Sequence, residues 1–139
     1  MRQTRSTQQK RLVQALMAEN DAHPTADEVY ELARLHDPHI SRGTVYRNLN
    51  ALDEAGVLRR LGMPEGPDHY DCRTDNHYHF LCRACHRVVD TQLPYNEALN
   101  SATPGLPGYQ TEWHRLILVG LCPACAGNAR AATQKEGQA

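Results

Sequence analysis

Two C-x-x-C pairs, Cys82/Cys85 and Cys122/Cys125, are separated by 36 residues. They constrain this chain more than any other feature, because two such knuckles supply the four thiolates of a closed tetrahedral zinc site and tie distant segments together. Just ahead of the first knuckle stands His77-Tyr78-His79. On a strand, residues two apart share a face, so both imidazoles could grip one ion. Asp90 follows the knuckle and Asp71 precedes the pair, and either could add an oxygen ligand. The residues therefore suggest one metal that holds the fold and a second that is sensed. A disulfide or redox pair is the alternative for the cysteines. Paired C-x-x-C motifs in a reducing compartment favour metal, and a thioredoxin-like site needs one such motif near a βαβ pattern, which is missing here.

At 139 residues the chain has room for one domain or two small ones. Modules of about 70 residues are marginal alone and gain from a metal or a dimer partner. The pattern divides near residue 72, giving modules 1–72 and 73–139. Net charge is −1, so no global positive field recruits nucleic acid. Residues 1–60 carry nine Lys/Arg against eight Asp/Glu, so any DNA binding must come from a local patch. No apolar run is long enough to span a membrane and the polar N-terminus lacks a signal-peptide pattern, which leads us to expect a soluble cytoplasmic protein.

In the first module, Leu12, Val13, Leu16 and Met17 form the apolar stripe of a helix over 7–19. Thr25 and Glu28 make a capping box for a second helix, which ends near His36-Asp37-Pro38. Ser41 caps a third, with Val45, Leu49 and Leu52 as its stripe and Gly56 as its stop. Alternating segments Val57–Leu61 and His69–Cys72 then read as a hairpin with its tip at 62–67. Three helices and a hairpin give the layout of a winged helix-turn-helix. The second module reads as a His-rich strand, the knuckle, Val88-Val89, a short helix Tyr95–Asn100, a Pro/Gly loop Thr103–Gly108, a long strand Tyr109–Gly120, the second knuckle and a helical tail Ala126–Ala139. The fold class is α+β: an N-terminal winged helix-turn-helix followed by a small α/β domain.

Arg42, Thr44, Tyr46, Arg47 and Asn50 lie on the third helix away from its apolar stripe. Arginine can read guanine edges or clamp phosphate, and asparagine can pair with adenine. Arg2, Arg5, Lys10 and Arg11 add a basic arm suited to phosphates. On such a charge count alone a solvated helix face is the readier reading, and only the winged-helix context tips it toward DNA. His23 by itself reads as a loop histidine. His114, in the expected long strand, reads either as core or as part of another site. His36, His39, His69 and His86 read as surface residues, and Cys72 as a small, partly buried one, with redox involvement beside Asp71 as its alternative.

Four stretches together resemble the ferric uptake regulator family over nearly the full length: His23-Pro24-Thr25-Ala26-Asp27-Glu28-Val29-Tyr30, Thr44-Val45-Tyr46-Arg47-Asn48-Leu49, His77-Tyr78-His79 running into Cys82-x-x-Cys85, and Cys122-x-x-Cys125. The resemblance implies a homodimeric metal-dependent repressor acting on a palindromic double-stranded DNA operator. It implies zinc on Cys82, Cys85, Cys122 and Cys125, and one regulatory Fe(II) or Mn(II) on His23, Asp71, His77, His79 and Asp90. Aspartate at both carboxylate positions is similar to the peroxide-sensing branch, in which a histidine ligand, here His23 or His77, is oxidised and DNA is released. Regulation by iron or manganese availability is the alternative. A metallohydrolase or a zinc-stabilised interaction module without DNA binding is more distant, because no H-E-x-x-H and no Ser/His/Asp set is present. The chain departs from the family at Gln8, where the first helix usually has proline. Some relatives carry a further site whose ligands would include His114 and Glu97, but Asn76 and Tyr78 flank the histidines here and do not complete it.

Overall fold

The structure, a computed structural model, describes residues 4–101, 103 and 105–128. The chain divides into two compact units, 1–75 and 76–139, so the division falls three residues beyond the expected one. Arg2 of the basic arm and most of the expected tail helix lie outside the described residues, although 123–128 are helical.

Unit one is built from α1 (Arg5–Ala18), α2 (Ala26–His36), α3 (Arg42–Glu54) and a hairpin of β1 (Arg59–Leu61) and β2 (His69–Asp71). Helix α1 begins earlier than its apolar stripe. Thr4 caps it by accepting the amide of Thr7, and the amide of Gln8 donates to the Thr4 carbonyl at 3.0 Å. Proline at position 8 would have no such amide, so the departure from the family pattern is also what allows the earlier start. Thr25 and Glu28 close the expected capping box on α2, and Ser41 caps α3 through the amide of Thr44. Gly56 follows with φ 76°, the left-handed geometry that favours glycine at a helix end. Val13 and Met17 of α1, Val29 and Ala33 of α2, and Val45, Leu49 and Leu52 of α3 pack with Leu58 and Tyr70 of the hairpin into one core. This unit is a winged helix-turn-helix.

Unit two is a three-stranded sheet ordered β4–β3–β5, from β3 (His79–Cys82), β4 (Val88–Asp90) and β5 (Ile117–Gly120). Strand β3 runs antiparallel to β4 and parallel to β5. The expected strand Tyr109–Gly120 contracts to β5, and 111–116 carry no strand. The reason is the partner: β3 is four residues long and pairs with all four of β5. The expected helix after Pro94 is a single 3-10 turn, Glu97–Leu99. No helix among the described residues is long and apolar enough to cross a membrane.

Candidate metal centres and nucleic-acid face

The parallel pairing of β3 and β5 sets Cys82 opposite Gly120, so both strands deliver their knuckles to the same end of the sheet. The first knuckle is closed by His86, whose amide donates to the Cys82 carbonyl at 2.8 Å with φ 62° at the turn. The second opens 123–128, with the amide of Ala126 donating to the Cys122 carbonyl at 2.8 Å. Cys82, Cys85, Cys122 and Cys125 thus converge, each offering a sulfur within 4.8 Å of the others. The Cys85 and Cys122 sulfurs are 3.9 Å apart, far beyond a disulfide bond. Zinc–sulfur bonds of about 2.3 Å in a tetrahedron set sulfurs about 3.8 Å apart, so the set fits zinc. Backbone amides of Cys85 and Cys122 turned toward the Cys82 sulfur pull its thiol down to about 5, which favours the thiolate a metal needs. Hydrogen bonding to Cys122 and Cys82 pushes the Cys125 thiol up to about 12. Cys72 lies in unit one, partly buried and outside this group.

The same sheet builds a second cluster. Asp90 lies directly opposite His79 across β3 and β4. One of its oxygens, Oδ1, is 2.9 Å from Nε2 of His77 and 3.4 Å from Nε2 of His79. The two imidazole rings are 4.4 Å apart between centroids. His77 lies ahead of β3, so strand alternation does not explain the pairing as expected; the shared carboxylate oxygen does. Donors at about 2.1 Å from one ion and at right angles lie about 3 Å apart, so this trio fits a single mixed imidazole–carboxylate ion.

In unit one, His23 and Asp71 are both buried, with Nε2 3.2 Å from Oδ2. Three contacts between the loop before α2 and strand β2 bring them together. The Tyr70 amide donates to the Pro24 carbonyl at 2.8 Å, Thr25 bridges His69, and His69 Nδ1 lies 2.5 Å from the His23 carbonyl. His23 itself has φ 55°, a left-handed conformation that costs a residue with a Cβ and persists where its surroundings impose it. His69 is therefore not the expected surface residue but is 5% exposed. Strand alternation carried the signal: His69 and Asp71 share one face of β2, while Tyr70 between them enters the core. His36, His39 and His86 are exposed as expected.

On α3, Arg42, Tyr46 and Arg47 are exposed, while Thr44 and Asn50 are half-buried. Tyr46 donates its hydroxyl to Asp27 at 3.0 Å, and Arg42 lies 3.8 Å from the same carboxylate and over the Tyr30 ring. Arg47 donates to Thr44 Oγ1 at 3.2 Å. Asn50 Oδ1 accepts from Tyr70 at 3.1 Å and from Arg60 at 3.5 Å, which ties this residue of α3 to the hairpin. Arg5, Lys10 and Arg11 are exposed on α1. His114, placed by sequence in a long strand, instead sits in irregular chain and bonds to Tyr78 and Asn100.

The family model described as the ferric uptake regulator family matches residues 1–119. Over 121 residues the chain is 30% identical to the peroxide-responsive repressor PerR of Staphylococcus aureus, a match covering 87% of this chain and 82% of that protein. The ferric uptake regulator of Francisella tularensis, solved with iron, overlays with a TM-score of 0.73 at 22% identity, covering 91% of this chain and 95% of that one. A zinc-bound manganese uptake regulator overlays with a TM-score of 0.65 at 28% identity, covering 88% and 91% respectively.

Proposed function

Because this chain belongs to the ferric uptake regulator family, we propose that it is a metal-dependent DNA-binding repressor that senses peroxide through ferrous iron. The observation that carries the reading is the pair of imidazole–aspartate clusters, His77/His79/Asp90 in unit two and His23/Asp71 in unit one. Zinc belongs on Cys82, Cys85, Cys122 and Cys125. A regulatory Fe(II) or Mn(II) would be held by His23, Asp71, His77, His79 and Asp90. An ion bound by both units favours one arrangement of the two modules by its differential affinity, and that coupling is what turns metal occupancy into DNA affinity. Two protomers joined through unit two would then set their α3 helices into successive major-groove faces of a palindromic operator, in the cytoplasm where the DNA is.

Aspartate in both clusters and the likeness to the peroxide-responsive repressor of Staphylococcus aureus support the sensing subtype. Bound ferrous iron would supply the activation of peroxide. In the net change, one peroxide oxygen would enter a C–H bond of the His23 or His77 imidazole and the other would leave as water, which would spoil that ring as a ligand. A second reading, control by iron or manganese availability alone, draws on the likeness to the manganese uptake regulator. Peptide mass spectrometry separates the two. Protein loaded anaerobically with Fe(II) and given low peroxide should gain one oxygen on His23 or His77 and release DNA, while a Mn(II)-loaded control does neither. Unmodified histidines with DNA still bound would replace the peroxide reading with the second one. Operator binding that persists in chelator would end both.

A further inference from the structure

Tyr78 stands between His77 and His79 in sequence, yet its own side chain is committed elsewhere. It is buried, 4% exposed, with its hydroxyl 2.7 Å from His114 Nε2 and accepting the Asn96 amide at 3.0 Å. His114 Nδ1 lies 2.6 Å from Asn100 Oδ1, and Asn100 Nδ2 donates to the Tyr95 hydroxyl at 2.6 Å. The Tyr95 ring stacks on His114 at 4.6 Å. The Tyr78 carbonyl accepts the amide of Thr91, the residue after Asp90, at 2.9 Å.

Both nitrogens of the His114 ring have partners in this network. A carbonyl oxygen only accepts, so Nδ1 of His114 carries the hydrogen that meets Asn100 Oδ1. Nε2 of the same ring is bonded to the Tyr78 hydroxyl, which also accepts from the Asn96 amide. Both ring nitrogens are thereby used in hydrogen bonds within the protein. What a histidine flanked by tyrosines and asparagines makes here is a cross-link without metal between the segment 95–114 and the residue that separates the two clustered imidazoles.

We infer that Tyr78 is a positioning residue for the His77/His79/Asp90 cluster, and that His114, Asn100 and Tyr95 form the metal-free brace that holds it. The inference rests on the reading of that cluster as a metal site. His79 is fixed by the β3 ladder, whereas His77 lies ahead of the strand and has the anchored Tyr78 as its neighbour. Thr91 extends the same anchor to Asp90. Partners that orient a ligand without touching the ion commonly change metal affinity by about 10–100-fold.

The test is a Mn(II) titration of the zinc-loaded full chain followed by EPR, with the d–d spectrum of added Co(II) as a reporter of coordination geometry. Tyr78→Phe and His114→Gln are each expected to weaken Mn(II) binding about tenfold, shift the Co(II) bands and leave zinc content unchanged. The double variant should be no weaker than the weaker single one, because both cut the same chain of bonds. Should Tyr78→Phe lose its zinc, His114→Gln decides from the other side of the bond. Variants that match wild type in Mn(II) affinity and Co(II) spectrum overturn the inference. So does a third metal equivalent in wild type that His114→Gln removes. Wild-type protein that takes up no Mn(II) overturns the metal reading of the cluster, and the inference with it.

Discussion

The carbonyl oxygen of His23 accepts a hydrogen bond from Nδ1 of His69 at 2.5 Å, both residues being buried. This bond and the Tyr70 amide on Pro24 sew strand β2 to the loop before α2, and Asp71 at the strand's end is thereby carried to His23. His69→Ala should therefore act twice. Leaving the buried carbonyl unpaired should cost about 1–3 kcal/mol in urea unfolding, and freeing the loop from its left-handed residue should weaken Mn(II) binding in the same protein. A stability loss with Mn(II) affinity unchanged would show that His69 supports the fold alone.

The four-cysteine cluster should behave as a fold element and not as a sensor. Cys82→Ser is expected to lower bound zinc below one equivalent per protomer and to abolish the cooperative unfolding of unit two, because binding free energy at such sites is folding free energy. Cys72→Ser should leave zinc content and the unfolding curve unchanged, since Cys72 stands outside the cluster. Elemental analysis and circular dichroism with and without chelator read both. A Cys82→Ser protein that keeps full zinc would mean that other ligands hold the ion.

Local rules found the local features. The Thr25/Glu28 capping box, the Ser41 cap and the stop at Gly56 depend on residues a turn apart, and each stands where the sequence put it. The four-cysteine cluster was legible because C-x-x-C spacing is itself a local geometry, repeated. What sequence did not carry was partnership. The extent of β5 is set by the length of β3, and the apolar pattern of 109–120 contains nothing about that partner. His77 and His79 were placed together by an alternation His77 does not follow; what joins them is a carboxylate on the next strand. The burial of His69 and the turning inward of Asn50 are tertiary facts of the same kind, each made by a residue about 20 or more positions away in sequence.

Asp90 presents one oxygen to both imidazoles, so its removal should be felt at the ion proposed for this cluster and not at the four sulfurs. Asp90→Ala is expected to weaken Mn(II) binding by at least the roughly 100-fold that loss of an orienting partner reaches, while zinc stays at one equivalent. The reason for the separation is topological: Asp90 lies at the end of β4, whereas the sulfurs gather at the opposite ends of β3 and β5. Mn(II) titration followed by EPR and zinc analysis on the same sample measure the two together. Zinc lost along with manganese would show that the clusters are not independent.

Arg47 and Asn50 lie nearly one helical turn apart on α3, and their surroundings assign them different work. Arg47 is exposed and bonded to Thr44 one turn away on the same helix, a contact that leaves it within reach of a phosphate or a guanine edge. Arg47→Ala should weaken operator binding, and if its partner is a phosphate the salt slope should fall by about one. Asn50 instead joins α3 to the wing, holding the hydroxyl of Tyr70, which is 3% exposed, and a nitrogen of Arg60. Asn50→Ala should cost about 1–3 kcal/mol of stability by leaving that buried hydroxyl unpaired, with the salt slope unchanged. Fluorescence anisotropy on operator and scrambled duplexes across a salt series, beside urea unfolding, tests both. If Asn50→Ala unfolds like wild type but no longer distinguishes the duplexes, Asn50 exchanges Tyr70 for a base on binding, and the expectation drawn from its sequence position is restored.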